Sequence, residues 1–475
     1  MFEAFDGSGR APRKVQKDAF AFVQQHLGKT KFIAIEAKTG SGKSGIARAI
    51  QKELGGFILV PTNQLMNQYI DEYEGVNFVK GASHYTCDSQ PEVSCEERRQ
   101  VYKKTGTDCP YGKQKEKALA LEPSFLNPMS RLYLGTGPLN APVVVIDEAH
   151  KLEELLELAT TVSFTDLDHV LPKSNDAETV SAWMIAQADK IKLIAESLKN
   201  EEHSKAKMIK YYSKAKNLRM TADLLQKHPE DYVISRSTKY MKKHQRNVNS
   251  LNINPIVLPQ EFLDVMFKGA DTVILLSATL PRFKVEGLTR GVPYAYISLE
   301  NPIPSKNREV RLDYQNFNYQ TPPAMIANWV KAQHDKYQSK ATIVHVTFAL
   351  GAKLKELIPE AMFHTNSAEK DETLETFKKK GGIWLAAGCA EGIDLKYDFA
   401  RLNLIPIVPY ANAKDPLVEA RVKRFGFGWY ERMTLLTMVQ MVGRTTRASD
   451  DFSTTVVGDL RAAKLFVKYS KDLGV

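Results

Sequence analysis

Short, fully apolar runs recur along this chain and alternate with amphipathic stretches. Phe32-Ile33-Ala34-Ile35, Phe57-Ile58-Leu59-Val60, Val143-Val144-Val145-Ile146 and Val273-Ile274-Leu275-Leu276 form one group. Ile343-Val344-His345-Val346, Ile383-Trp384-Leu385-Ala386 and Thr454-Thr455-Val456-Val457 form another. Their length and continuity are those of strands buried on both faces of a parallel sheet. Helix-like segments such as Ile46-Ala47-Arg48-Ala49-Ile50 lie between them, so the pattern predicts an α/β protein in two blocks. The alternation breaks between Asp147 and Val273. There Met184, Ala188, Ile191, Ile194 and Leu198 repeat at helical spacing, which predicts a mostly helical insertion over 151–255, packed along that stripe. The boundary between blocks is expected between Ser277 and Ala341, near Asn301-Pro302-Ile303-Pro304, giving a first domain over 1–280 and a second over 281–475. No repeat of fixed period and no low-complexity tract interrupts this scheme.

Composition adds scale and a charge bias. With 475 residues, 43% of them hydrophobic, the chain can bury more than one core. No apolar run approaches the roughly 18 residues that would span a bilayer. The stretch after the first methionine lacks the basic-then-apolar form of a secretory signal, so a cytoplasmic location is expected. Net charge is +10, and residues 201–250 carry twelve Lys and Arg against five Asp and Glu. That surplus fits an anionic polymer partner such as nucleic acid, and equally a solvated helical face.

Four short motifs carry candidate chemistry. Ala37-Lys38-Thr39-Gly40-Ser41-Gly42-Lys43-Ser44 follows an apolar strand and opens a helix. In such a loop the backbone N–H groups converge on phosphates, Lys43 reaches the β and γ phosphates, and the Ser44 hydroxyl holds Mg2+. Ala37 stands where the first glycine of the pattern is expected. Asp147-Glu148-Ala149-His150 ends another strand: Asp147 takes a second position on the ion and Glu148 activates the attacking water. Taken alone, that tetrad also fits a helix N-terminus with acidic residues. Ser277-Ala278-Thr279 follows a third strand and falls beside the same cleft, or is an ordinary strand-to-loop turn. Gln440-Met441-Val442-Gly443-Arg444-Thr445-Thr446-Arg447 places Arg444 and Arg447 on one face if the segment is helical. An arginine reaching the γ-phosphate is worth roughly 10³ to 10⁵ in rate. Alone, the pair fits two surface arginines.

With these motifs in order, the chain resembles the superfamily 2 helicases, specifically the DinG/XPD branch, nearly end to end. Arg13-Lys14-Val15-Gln16 is similar to the branch's entry motif, with Gln16 reading adenine. Pro61-Thr62-Asn63-Gln64-Leu65 resembles its first DNA-contacting loop and Ser277-Ala278-Thr279-Leu280 its coupling motif. Gly388-Cys389-Ala390-Glu391-Gly392-Ile393-Asp394 resembles the motif joining DNA grip to nucleotide through Gly392 and Asp394. Gln440 to Arg447 resembles the arginine-finger helix, and Asp415-Pro416 after Pro409-Tyr410 also matches. The resemblance implies two RecA-like domains closing on ATP and Mg2+, 5′→3′ travel on single-stranded DNA, and unwinding of forked DNA by a monomer without membrane contact. It places the protein in DNA repair, replication or recombination. An ATP-gated DNA clamp and an RNA-directed DEAH enzyme stay open, whereas a fused nuclease is not expected from the short flanks.

Three of the four cysteines, Cys87, Cys95 and Cys109, fall in the segment 78–127, whose flanks resemble the family's iron–sulfur domain. Relatives use four thiolates there. A [4Fe–4S] cluster would need a fourth ligand from Asp88, Glu92, Glu96, His84 or water. A zinc site using His84, or a domain without metal, are the alternatives.

Overall fold

The computed structural model describes residues 11–73, 76–81, 84–87, 90–94, 110–119, 124–126, 141–198, 205–366, 369–389, 393, 395, 397–446, 448 and 450–473. All seven apolar runs become strands in two parallel sheets. The first sheet orders its strands as Tyr294–Ser298, Phe32–Glu36, Ala270–Ser277, Ala141–Asp147, Phe57–Leu59, Ser124–Leu126 and Asn77–Val79, all parallel. The second runs Arg308–Leu312, Ser453–Val457, Leu402–Ile405, Ala341–Val346, Gly382–Ala387 and Met362–Phe363, again all parallel. Helices cover both faces. In the first sheet Ile33 and Ile35 enter one apolar cluster and Phe32 and Ala34 the other, which is why that strand reads as unbroken hydrophobic sequence.

Three boundaries differ from the sequence-based expectation. The first sheet extends past residue 280, because Tyr294–Ser298 pairs with Phe32–Glu36 as an edge strand. Its polar alternation hid it. The cysteine-bearing segment is shorter than 78–127, since Asn77–Val79 and Ser124–Leu126 are themselves neighbouring strands of the main sheet. The insertion over 151–255 is only half helical. Helices Ala177–Ser197 and Lys205–Lys227 pack together, but Tyr232–Met241 and Arg246–Pro255 form a hairpin joined by Val162–Thr165 in a three-stranded antiparallel sheet. Along the first of these helices Val180, Met184, Ala188, Ile191 and Ala195 are buried, whereas Ile194 is 48% exposed. The packed stripe steps from Ile191 to Ala195, and Ile194 falls on its outer side.

The lobes touch through more than the chain that links them. Helix Pro416–Phe425 of the second lobe docks on the base of the insertion, where Arg421 Nη2 lies 2.6 Å from Glu157 Oε1 and Arg424 Nη2 lies 3.3 Å from Asp231 Oδ1. Arg421 also donates to the carbonyls of Ile256 and Pro255. Asp415 caps this helix, accepting from the N–H groups of Leu417 and Val418, with Pro416 at its first position.

Candidate active site

Strand Phe32–Glu36 delivers the glycine loop to the carboxyl edge of the first sheet, and helix Lys43–Leu54 leaves from it. Gly40 (φ +87°) and Gly42 (φ +77°) take left-handed backbone that side chains disfavour. A Cβ on Gly42 would stand 2.6 Å from Gln16 Nε2. Ala37 needs no glycine, because it continues the strand and donates its N–H to Ser277 O at 2.8 Å. Gln16 and Arg13 brace this loop from helix Lys14–His26: Gln16 Nε2 donates to Gly42 O at 3.1 Å, and Arg13 Nη1 donates to Gly40 O. Gln16 Oε1 accepts from Arg13 N, so both ends of that amide are engaged with the chain itself. Ser41 Oγ is buried without a hydrogen-bond partner among the described residues.

Asp147 and Glu148 sit at the end of Ala141–Asp147, two strands away. Asp147 is 2% exposed; its Oδ1 accepts from Glu148 N and its Oδ2 from the Tyr69 hydroxyl at 2.8 Å. Burial and the neighbouring Glu148 charge push its carboxyl up to about 6. Burial also pushes Glu148 upward, but Lys43, His150, Lys151 and Arg444 outweigh it and leave the group below its ordinary value. Glu148 holds φ +51°, a left-handed conformation uncommon outside glycine. Lys43 Nζ stands 3.6 Å from Glu148 Oε1. His150 Nδ1 lies 2.6 Å from Ser277 Oγ and 3.3 Å from Glu148 Oε2, tying the acidic tetrad to Ser277-Ala278-Thr279.

The second lobe closes the site. One cleft of about 80 Å³ is lined by Lys43, Glu148 and Thr279 from the first lobe and by Arg308, Gln440 and Arg444 from the second, with Thr39 also on its wall. Helix Phe427–Val442 stops before the arginines, contrary to the helical expectation: Gly443 ends it, and Arg444 lies in the turn beyond. Arg447, Gly392 and Asp394 lie outside the described residues, as do Cys95 and Cys109. For Cys87 the backbone alone is described, at the end of a short hairpin strand. His84 is exposed and meets Asn63 Nδ2 at 2.9 Å. Cys389 is buried in the second lobe, where burial pushes its thiol up to about 11.

Sequence reasoning missed three residues of this neighbourhood. Tyr69, fully buried on helix Asn63–Glu72, contacts Ser44 and donates to Asp147, so it bridges the two oxygen groups assigned to Mg2+. At helical spacing it reads as core. Glu36, 2% exposed, accepts from Leu280 N at 3.1 Å and Ser298 Oγ at 2.7 Å, and lies 3.1 Å from Lys38 Nζ. A lone acid closing an apolar strand was the available signal. Arg308, at the start of a strand, donates to Thr446 O at 3.0 Å and lines the cleft; nothing in its local sequence marks it. Ser44 and Asp147 supply a hydroxyl and a carboxylate, an all-oxygen donor set that suits Mg2+.

Two parallel sheets that present a phosphate loop on one side of a cleft and an arginine on the other define a two-lobed, RecA-like architecture. The family model described as the helicase C-terminal domain matches residues 336–473, and that of the Type III restriction enzyme res subunit matches residues 10–226. A probable ATP-dependent helicase of Methanocaldococcus jannaschii is 24% identical over 281 residues, which are 52% of this chain and 41% of that protein. This chain therefore matches less than half the length of that relative. Xpd4 of S. tokodaii has the same fold, with a TM-score of 0.56 at 15% identity and 98% of each chain covered. Helicase-type family models thus match parts of both lobes, and the chain is similar to superfamily 2 helicases of the XPD/DinG-like kind.

Proposed function

We propose that this protein hydrolyses ATP to move 5′→3′ along single-stranded DNA and to part duplexes at forks, acting as a cytoplasmic monomer. The observation that carries the reading is the meeting of Lys43 and Glu148 with Gln440 and Arg444 across one cleft. The loop N–H groups and Lys43 hold the triphosphate, and Gln16 and Arg13 stiffen that loop. Mg2+ held by Ser44 and Asp147 would neutralise charge on the phosphates. Glu148 accepts a proton from water as the water oxygen bonds to the γ-phosphorus; the bond to the bridging oxygen breaks and ADP leaves with that electron pair. Arg444 stabilises the charge spread over the transferring group, with Gln440 beside it.

The cleft takes its walls from both lobes, so parting them admits nucleotide and closing them completes the site. That cycle is the source of motion. DNA as track, and the direction, rest on the resemblance to the DinG/XPD branch and on the basic surplus at 201–250. The three insertion cysteines fall one short of a four-thiolate cluster, and no step of the cycle runs through one.

Steady-state ATP turnover tests the reading, measured with single-stranded DNA, single-stranded RNA and neither, alongside separation of duplexes tailed at the 5′ or 3′ end. Expected are stimulation by DNA, separation with the 5′ tail only, and loss of both in Lys43→Ala. Full turnover by Lys43→Ala overturns the site; ATP-dependent binding without strand separation reduces the protein to a clamp.

A further inference from the structure

The hairpin in the insertion has a chemistry of its own. Strands Tyr232–Met241 and Arg246–Pro255 pair along their whole length, from Tyr232 opposite Pro255 to Met241 opposite Arg246. The third strand covers only Ser250 to Ile253, with one further backbone bond from Asp166 N to Asn249 O. Beyond Asn249 the described residues leave a two-stranded ribbon that ends in the tight turn Lys242–His244. A bare two-stranded ribbon is marginal in water. Here it is braced: Arg246 lies 3.6 Å from Asp166 Oδ1, Asn249 Nδ2 donates to Asp166 Oδ2 at 2.8 Å, and Arg236 donates to Asn175 Oδ1 at 2.7 Å and to the carbonyls of Pro172 and Ser174.

Within the hairpin itself every charged residue is cationic, and Asp166, which braces Arg246, comes from outside it. Between Asp231 and Glu261 the chain carries Arg236, Lys239, Lys242, Lys243 and Arg246 and no acidic residue. Arg236 and Arg246 are spent on bracing, whereas Lys239, Lys243 and His244 are exposed at the outer end beside Tyr240, itself 58% exposed. Lysines commonly guard an edge strand against pairing. That role explains Lys239, on the edge strand, but not Lys243 in the turn, and an exposed tyrosine works against it.

We propose that this ribbon is a duplex-docking arm, whose outer end enters the major groove of double-stranded DNA while Lys239 and Lys243 pair with phosphates on the groove walls. Two strands about 4.8 Å apart with their side chains suit a groove about 12 Å wide, which admits a two-stranded ribbon. Single strands are gripped by several aromatic platforms that stack successive bases. The ribbon's outer end offers only Tyr240 and His244 among the described residues, not a row of such platforms. Its lysines point to phosphate contact without sequence preference. The inference rests on the motor reading above and names the part that would hold the duplex ahead of it.

The test compares the full chain with Lys239→Glu/Lys243→Glu, both exposed positions, with circular dichroism confirming the fold. A short blunt duplex and a single-stranded oligonucleotide are titrated over a range of salt. Duplex affinity should fall roughly ten-fold or more, and the slope of log K against log salt should become shallower by about 2. Single-strand affinity and single-strand-stimulated ATP turnover should stay within about two-fold of wild type. An equal loss on the single strand overturns the proposal by assigning the ribbon to the track; unchanged duplex affinity overturns it by leaving the lysines as edge protection. Wild-type turnover indifferent to single strands would sink the motor reading, while selective duplex loss in the variant would still support the arm.

Discussion

The two lobes share a parallel sheet between helices, yet differ in how the charge at the carboxyl ends of their strands is used: Lys43 and Glu148 line the cleft, whereas Asp313 and the Asp459–Arg461 pair do not. In the first lobe those ends carry charge: Glu36 faces Lys38, and Asp147 and Glu148 face Lys43. In the second the charge is held within the lobe: Asp313 accepts from Trp329 Nε1 and Gln333 Nε2, and Asp459 lies 2.6 Å from Arg461 Nη2. His345 is buried, and burial with the nearby Arg444 pushes it down to about 3. His364 Nε2 meets Ala387 O at 2.9 Å while its Nδ1 accepts from Trp384 Nε1. The second lobe reaches the cleft instead through Arg444, in a turn beyond its longest helix, and through Arg308 at a strand start. On the proposed reading, the first lobe grips nucleotide through Lys43 and the second sets rate through Arg444, which lines the cleft only when the lobes meet.

Substitutions in either lobe test that division. Arg444→Ala should slow turnover by roughly 10³ to 10⁵ while nucleotide affinity changes a few-fold at most. An equal loss of affinity, measured with a fluorescent ATP analogue, would put grip in both lobes. Glu36→Ala strips the acceptor from Leu280 N and Ser298 and removes the ion pair with Lys38. It should cost roughly 3 kcal/mol in urea unfolding. Tyr69→Phe should raise the Mg2+ concentration for half-maximal turnover about 10- to 100-fold, with the rate recovering at saturating Mg2+.

A pH-dependent effect belongs to the second lobe. His345 binds its proton more weakly folded than unfolded, so the stability it contributes is full above pH 6.5 and is lost as pH falls toward 3. The loss is at most about 1.4 kcal/mol per pH unit. His345→Gln should flatten the fall in melting temperature between about pH 6 and pH 4. An unchanged acid limb would trace it to other groups.

The same division governs what was legible in the sequence. In the first lobe strand, loop and helix are contiguous, so Lys43, Ser44, Asp147 and Glu148 could be read from their own neighbourhoods. Tyr69 and Glu36 could not, because their partners lie in other strands and helices, and only folding joins Tyr69 to Asp147 across 78 positions. In the second lobe Arg444 was found but its setting was not: Gly443 closes the helix one residue before it. The ribbon was overlooked because charge was weighed there before periodicity. Leu251 and Ile253, both fully buried and two apart between Ser250, Asn252 and Asn254, already alternated as a strand does.

One consequence of the crossing between the lobes concerns distance. The chain leaves the first sheet at Ser298 and enters the second at Arg308, with Pro302 and Pro304 limiting its bends. Arg308–Leu312 is one margin of the second sheet, and Met362–Phe363, five strand spacings away, is the other. At about 4.8 Å per spacing the far margin would swing on an arm of roughly 24 Å if the lobes turned about that crossing. A turn of about ten degrees about that axle carries it roughly 4 Å, on the order of the 3.4 Å axial stride between successive nucleotides of one strand.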